Sequence, residues 1–322
     1  MHRTSLTIAL LTSAALSVPA LAGAQTDCGD QQGQMAEVVY NIPTPEQVAA
    51  PLAPAAEAIQ PSASVFVEPA PTTVQIAQNE TIKPTPDMKT QPTPVTAYAA
   101  LLKNRISSGP NGLNLFDYAG AHADGDLKTI TAYTDYLSDQ NPDAMPEADQ
   151  IAYWANMYNA LTLKVVLENY PVSSIRKIKS GAFKAGPWDK DAVTVNGKTL
   201  TLNNIEHDIL RKNYPNPAMV HYMVNCASIG CPNLLNKVWV GETLDADREQ
   251  AARDYINSSR GVAIKGDELE VSSIYKWFKE DFGNSKAGTI EHFRKFAGPE
   301  LKAALDAGAE IDGYEYDWSL NE

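Results

Sequence analysis

Cysteine is scarce in this chain: three residues in 322, at positions 28, 226 and 231. No second cysteine or histidine pair stands at ligand spacing, so neither a zinc site nor any other metal is expected. Basic residues are also short, 26 Lys+Arg against 39 Asp+Glu, for a net charge of −13. That balance argues against binding to nucleic acid or to an anionic lipid surface, which both need concentrated Lys and Arg. Beyond the first two dozen residues no apolar run approaches the roughly 20 residues that span a bilayer. The phosphate-binding G-x-x-x-x-G-K-[ST], the dinucleotide G-x-G-x-x-G, the G-x-S-x-G elbow and the H-E-x-x-H metal motif are all missing. No cofactor is therefore expected. No internal repeat is visible.

What is present begins with an address. His2 and Arg3 form a short basic start, Leu6 to Val18 is apolar, and Pro19 to Ala24 offers small residues at A-x-A spacing. Residues 1–24 read as a signal peptide, which predicts a periplasmic or secreted protein with no membrane insertion after cleavage. Residues 25–94 read as a disordered tether. Eleven of the 21 prolines lie between Asn41 and Pro94, with Phe66 the single aromatic there. Proline that dense interrupts helices and central strands, and little bulk remains to bury.

Residues 95–322 carry the globular pattern. Tyr98, Leu101, Leu102 and Ile106 repeat at helix spacing, and Asp126 to Leu137 forms a second helix. A third starts at Pro146 and runs to Tyr170. It is apolar nearly all round, which places it at the centre of the fold. Two alternating runs then flank Asn196-Gly197, the strongest short-range hairpin signal. Asn203 with Glu206 three residues on predicts a capping box. Met219 to Cys226 reads as a buried strand. Asp245–Ser258 reads as a helix, residues around Gly266-Asp267 as a second hairpin, and three helices follow before Ala307. The expected class is α+β: a central buried helix, with surrounding helices packed on a small, mainly antiparallel sheet that includes hairpins.

Three features carry potential chemistry. Asn156 and Asn159 share a face of the apolar helix, where a buried amide must find partners. They either pin a neighbouring segment or orient a catalytic imidazole. Asn225-Cys226-Ala227-Ser228-Ile229-Gly230-Cys231-Pro232 puts two cysteines on a small-residue loop. In an exported protein that loop is either closed by a Cys226–Cys231 disulfide or presents Cys226 as a nucleophile. His207 and His221 lie upstream. On a straight strand, His221 would sit about 16 Å from Cys226 and on the opposite face. His207 lies on a polar helix face, either solvated or turned toward the cysteine loop.

These residues fall in blocks that resemble the family called domain of unknown function 547. Trp154-Ala155-Asn156-Met157-Tyr158-Asn159-Ala160-Leu161 resembles its W-x-N-x-Y-N-A-L helix, and Leu202 to Arg211 its next block. His221 to Pro232 is similar to H-x-x-x-x-C-x-S-x-x-C-P, and Tyr316 to Asn321 to its closing Y-D-W-S-L-N. The resemblance implies that Asn156, Asn159, Glu206, His207, His221, Cys226, Ser228 and Cys231 are characteristic polar positions. It implies no reaction, because the family's activity is not established.

The expectation is a Cys/His-dependent hydrolase or acyl transferase. Cys226 is the nucleophile, His207 the base, and Asn159 or Glu206 the orienting group. Asn156, His221 and Ser228 would bind a small-molecule or peptide ligand. The other expectation is a non-catalytic binding or scaffolding module with a structural Cys226–Cys231 disulfide.

Overall fold

A computed structural model describes residues 92–181 and 185–322. The expected leader, the tether up to residue 91, and Cys28 lie outside the described residues. The architecture is α+β, as the alternation of helical and two-residue periods predicts.

Helix α1 (Pro94–Arg105) starts on a Thr93 cap and buries Tyr98, Leu101 and Leu102. A small hairpin, β1 (Ile106–Ser108) with β2 (Asn114–Phe116), follows, then α2 (Tyr118–Ala123) and α3 (Leu127–Ser138). Sequence periodicity does not announce this hairpin, because its strands are three residues long. The centre is α4 (Glu147–Glu168), which begins directly after Pro146 and carries Glu147 and Asp149 in its first turn. Those carboxylates suit the positive end of the helix dipole. From Ile151 to Leu163 every residue of α4 is buried, so its apolar surface wraps the full circumference.

Strands β3 (Asp191–Val195) and β4 (Lys198–Thr201) pair antiparallel around Asn196-Gly197. Asn196 at φ 49° and Gly197 at φ 73° supply the two positive angles that a tight hairpin turn requires. A π-helical stretch, Asn204–Leu210, continues into α5 (Arg211–Asn213). The expected capping box does not form. Asn203 keeps helical angles and gives its side-chain N–H to Asp189 at 2.6 Å instead.

The expected strand at Met219–Cys226 is also absent. Asn216 adopts a left-handed conformation, Pro217 opens the single turn α6 (Pro217–Val220), and residues 221–223 continue as turns. Residues 218–225 are buried throughout. Continuous burial erases the alternation that separates a strand from a helical turn, so an apolar run of this length fits both.

Helix α7 (Leu244–Ile256) leads to β5 (Val262–Lys265) and β6 (Glu268–Ser272), the second hairpin. After α8 (Ile274–Trp277), α9 (Lys286–Phe296) and α10 (Pro299–Asp306), strand β7 (Glu310–Glu315) returns parallel to β6. A parallel partner needs such a crossover, and the intervening helices provide it. The remaining C-terminal segment then crosses the cysteine loop. No helix among the described residues is long and apolar enough to span a membrane.

Candidate functional site

The site is built on α4. Asn156 spends its amide on one residue: it donates to the Trp239 carbonyl at 2.8 Å and accepts the Trp239 N–H at 2.9 Å. Asn159 does the same for the segment before Cys226. It donates to the Met223 carbonyl and accepts the Asn225 N–H, both at 2.9 Å. Asn225 then donates to the Pro232 carbonyl at 2.7 Å and accepts the Ala227 N–H at 2.8 Å. Cys226 is thus held between two side-chain clamps. Ala227 sits at φ 57°, a left-handed angle that a residue with a Cβ adopts only when its surroundings impose it.

The C-terminal segment locks the loop from the other side. Ile229 and Gly230 donate their N–H groups to the Ser319 and Asp317 carbonyls at 2.9 and 2.8 Å. A Cβ on Gly230 would lie 2.9 Å from both the Asp317 nitrogen and the Tyr316 ring, so the close approach needs glycine here. Trp277 packs on Tyr316 and Trp318, which fixes the Tyr316 hydroxyl over the sulfurs.

No disulfide joins Cys226 to Cys231. The two sulfurs instead share donors. The Tyr316 hydroxyl is 3.2 Å from Cys226 Sγ, 3.0 Å from Cys231 Sγ and 2.9 Å from Ser228 Oγ. Cys231 Sγ also accepts the Cys226 backbone N–H at 3.0 Å. Cys231 is buried, while Cys226 keeps partial exposure. Burial raises the Cys231 pKa, but hydrogen bonds from Cys226, Tyr316 and Ser228 outweigh it and bring it down to about 7.

Beneath the loop lies Arg260. Its guanidinium donates to the Ile229 carbonyl at 3.1 Å, to the Cys231 carbonyl, and to Asn233 Oδ1 at 2.9 Å. None of these acceptors carries a charge, and the Arg260 Nε is buried without a hydrogen-bond partner. Burial lowers the Arg260 pKa, and the nearby Tyr255, Cys231 and Tyr316 oppose that by favouring the cation. A buried guanidinium stays charged. Its positive field therefore falls on the cysteine loop.

The histidines form a second cluster. Asp281 accepts from His221 Nε2 and from Arg211 Nε, each at 2.6 Å. Arg211 also reaches Glu280 at 2.9 Å and His207 Nδ1 at 3.3 Å. Phe278 stacks on His221 at 4.4 Å, with the Arg211 guanidinium 4.7 Å from its centroid. Burial would raise the Asp281 pKa, but its bonds to His221 and Arg211 bring it below the ordinary carboxylate value. Burial lowers the His207 pKa; Arg211 and His221 add to that, and Glu206 opposes it. Arg211 can only donate, so His207 Nδ1 accepts and the neutral ring carries its proton on Nε2. Burial pushes the Tyr158 pKa well up, with Glu206 adding to the shift, so Tyr158 stays a protonated donor beside that carboxylate.

The two clusters meet in one small cleft of about 40 Å³. Cys226, Cys231, Glu206, His207, His221 and Tyr316 all line it, with Tyr158, Trp188, Trp277 and Phe278 as aromatic walls. His207 therefore does turn toward the cysteine loop. His221 is not on the far side of a strand from Cys226, because the strand that separated them does not exist. Asn156 and Asn159 act on backbone groups. Ser228 is fully buried, and Cys226 Sγ lies 3.4 Å from its hydroxyl. Asp281 and Arg260 carry no sequence signal: each looks like an ordinary surface charge in a polar stretch, and Arg211, though it closes a family-like block, has nothing local that pairs it with Asp281. Tyr316 stands in the closing block of the resemblance, but nothing local ties it to sulfur.

These features define an α+β protein with a two-thiol, two-histidine cleft. Residues 142–256 match the model of the family described as Protein of unknown function, DUF547, which supports membership of that family. The matched stretch contains both cysteines and both histidines of the cleft, whereas Arg260, Asp281 and Tyr316 fall after it. The comparisons with curated proteins and with solved structures give no match.

Proposed function

We propose that the cleft performs acyl transfer or hydrolysis through Cys226, on a small-molecule or peptide ligand, in an exported protein found in the periplasm or secreted. The observation that carries this reading is the convergence of Cys226, the most exposed sulfur of the loop, with two imidazoles in one aromatic-walled cleft. A thiol is mostly protonated at its free pKa, so an imidazole and nearby positive charge are what activation requires.

The base in this reading is His221. Its Nε2 is held by Asp281, which leaves Nδ1 as the nitrogen with a lone pair in the neutral ring. His207, placed as base by the sequence, has Nδ1 engaged by Arg211 and so offers an Nε2–H donor. It suits a developing oxyanion better than a thiol proton. Cys226 would attack the acyl carbon and pass its proton to His221. The tetrahedral intermediate then expels the leaving group, which takes that proton. Water or an acceptor nucleophile releases the acyl group. Glu206 stands beside His207 and Tyr158. Asn159, Asn156 and Ser228 position the loop, and the aromatic walls favour an apolar acyl portion.

The test uses the full chain carrying Cys28→Ser and a series of p-nitrophenyl acyl esters of increasing chain length. The expected result is a single acyl group on Cys226, found by peptide mapping and lost in Cys226→Ala. Failure of every ester to acylate a Cys226 that iodoacetamide labels would overturn the acyl-transfer reading.

A further inference from the structure

The shared sulfur environment carries a second chemistry. Cys226 and Cys231 stand on one clamped loop, both within 3.2 Å of the Tyr316 hydroxyl, and the Cys226 backbone N–H points at Cys231 Sγ. One sulfur is partly exposed in the cleft, and the other is buried behind it. That is the division of labour of an attacking and a resolving thiol. We infer that Cys226 and Cys231 form a reversible dithiol–disulfide pair that exchanges with low-molecular-weight disulfides entering the cleft. The inference rests on the reading of Cys226 as the accessible thiol, and it adds redox control to that same site.

The step balances without a metal or cofactor. The Cys226 thiolate attacks one sulfur of a disulfide R–S–S–R. That S–S bond breaks, a mixed disulfide forms on Cys226, and the first RS⁻ takes up a proton. The Cys231 thiolate then attacks Cys226 Sγ and expels the second RS⁻, which is protonated in turn. The protein pair is oxidised by two electrons, and the incoming disulfide is reduced to two thiols. Arg260 supports the second attack. Its buried charge has no anionic hydrogen-bond partner, and it holds the carbonyl of Cys231 itself. The lowered pKa of Cys231 agrees with a sulfur prepared to act as a thiolate. Oxidation ties up the Cys226 sulfur and so removes the acyl-accepting nucleophile until a thiol reduces the pair.

The experiment is equilibration of the full chain carrying Cys28→Ser with glutathione disulfide, read by intact mass and peptide mapping. The expected product is the internal Cys226–Cys231 disulfide, with no glutathione retained. Cys231→Ala should accumulate the glutathione adduct on Cys226, and Cys226→Ala should stay unmodified because Cys231 is buried. Oxidised protein should lose ester acylation entirely, and dithiothreitol should restore it. A wild-type loop that stops at a stable glutathione adduct on Cys226 would overturn the pair, and so would one that stays a dithiol while Cys226 labels with iodoacetamide. If acylation fails but the internal disulfide forms and reverses, the acyl-transfer reading falls and the redox pair stands.

Discussion

Asn159 shows how one side chain sets the position of another that it does not touch. Both its polar atoms are used on the backbone at residues 223 and 225, just ahead of Cys226. Asn159→Leu strands a buried carbonyl and a buried N–H. The expected cost is about 1–3 kcal/mol, read as a lower urea midpoint at unchanged slope. His292 is a second residue whose setting fixes a measurable property. Its Nε2 lies 2.8 Å from the Tyr222 hydroxyl, and burial, with Lys295 and His221 adding, depresses its pKa from 6.5 to about 4. The unfolded chain therefore binds a proton below pH 6.5 that the folded chain refuses until about 4. Stability should be full above that window and decline as pH falls through it, by about 3 kcal/mol in all. His292→Gln should flatten the profile between pH 6.5 and 5; urea titrations at several pH values give the slope.

Elements declared by period were legible, and elements declared by contact were not. Helix α4 and both long hairpins follow from apolar spacing and from Asn-Gly or Gly-Asp turns, which are local properties. The π geometry of Asn204–Leu210 is not local. It matters because an i→i+5 turn re-aims His207 and Arg211, and such turns recur at functional sites. Strand β7 was likewise invisible, since its pairing with β6 is parallel and long-range. The cleft was half legible. Cys226 and His207 stand out by type and spacing, and Glu206 by its place in a family-like block, but Asp281, Arg260 and Tyr316 gain meaning only from where the chain brings them. The contact between the C-terminal segment and the cysteine loop makes an element-scale prediction. Gly230→Ala forces the two backbones apart. It should lower the melting temperature and weaken the hold of Tyr316 on the sulfurs. A variant with wild-type melting and wild-type Cys226 labelling would show that the segment does not brace the loop.

At the scale of the molecule, the core runs from Tyr98 near one end of the described residues to Leu320 near the other. The cleft therefore depends on closure of the whole domain, with lining residues drawn from positions 158 to 316. The proline-dense sequence before residue 92 contributes no periodic apolar face. A chain starting at Pro92 should melt within a degree or so of the full chain, and a drop of several degrees would contradict that independence. In the proposed reaction this closure activates Cys226 through His221 and Asp281. The most direct test of that activation is the rate of iodoacetamide labelling at Cys226 against pH, in the full chain carrying Cys28→Ser, compared with His221→Ala, Asp281→Asn and His207→Ala. The expected result is an apparent pKa below the free-thiol value of about 8.5, a marked slowing near neutral pH in the first two variants, and a smaller effect in the third. An apparent pKa at or above the free value, unmoved by His221→Ala in a variant that still folds, would contradict it.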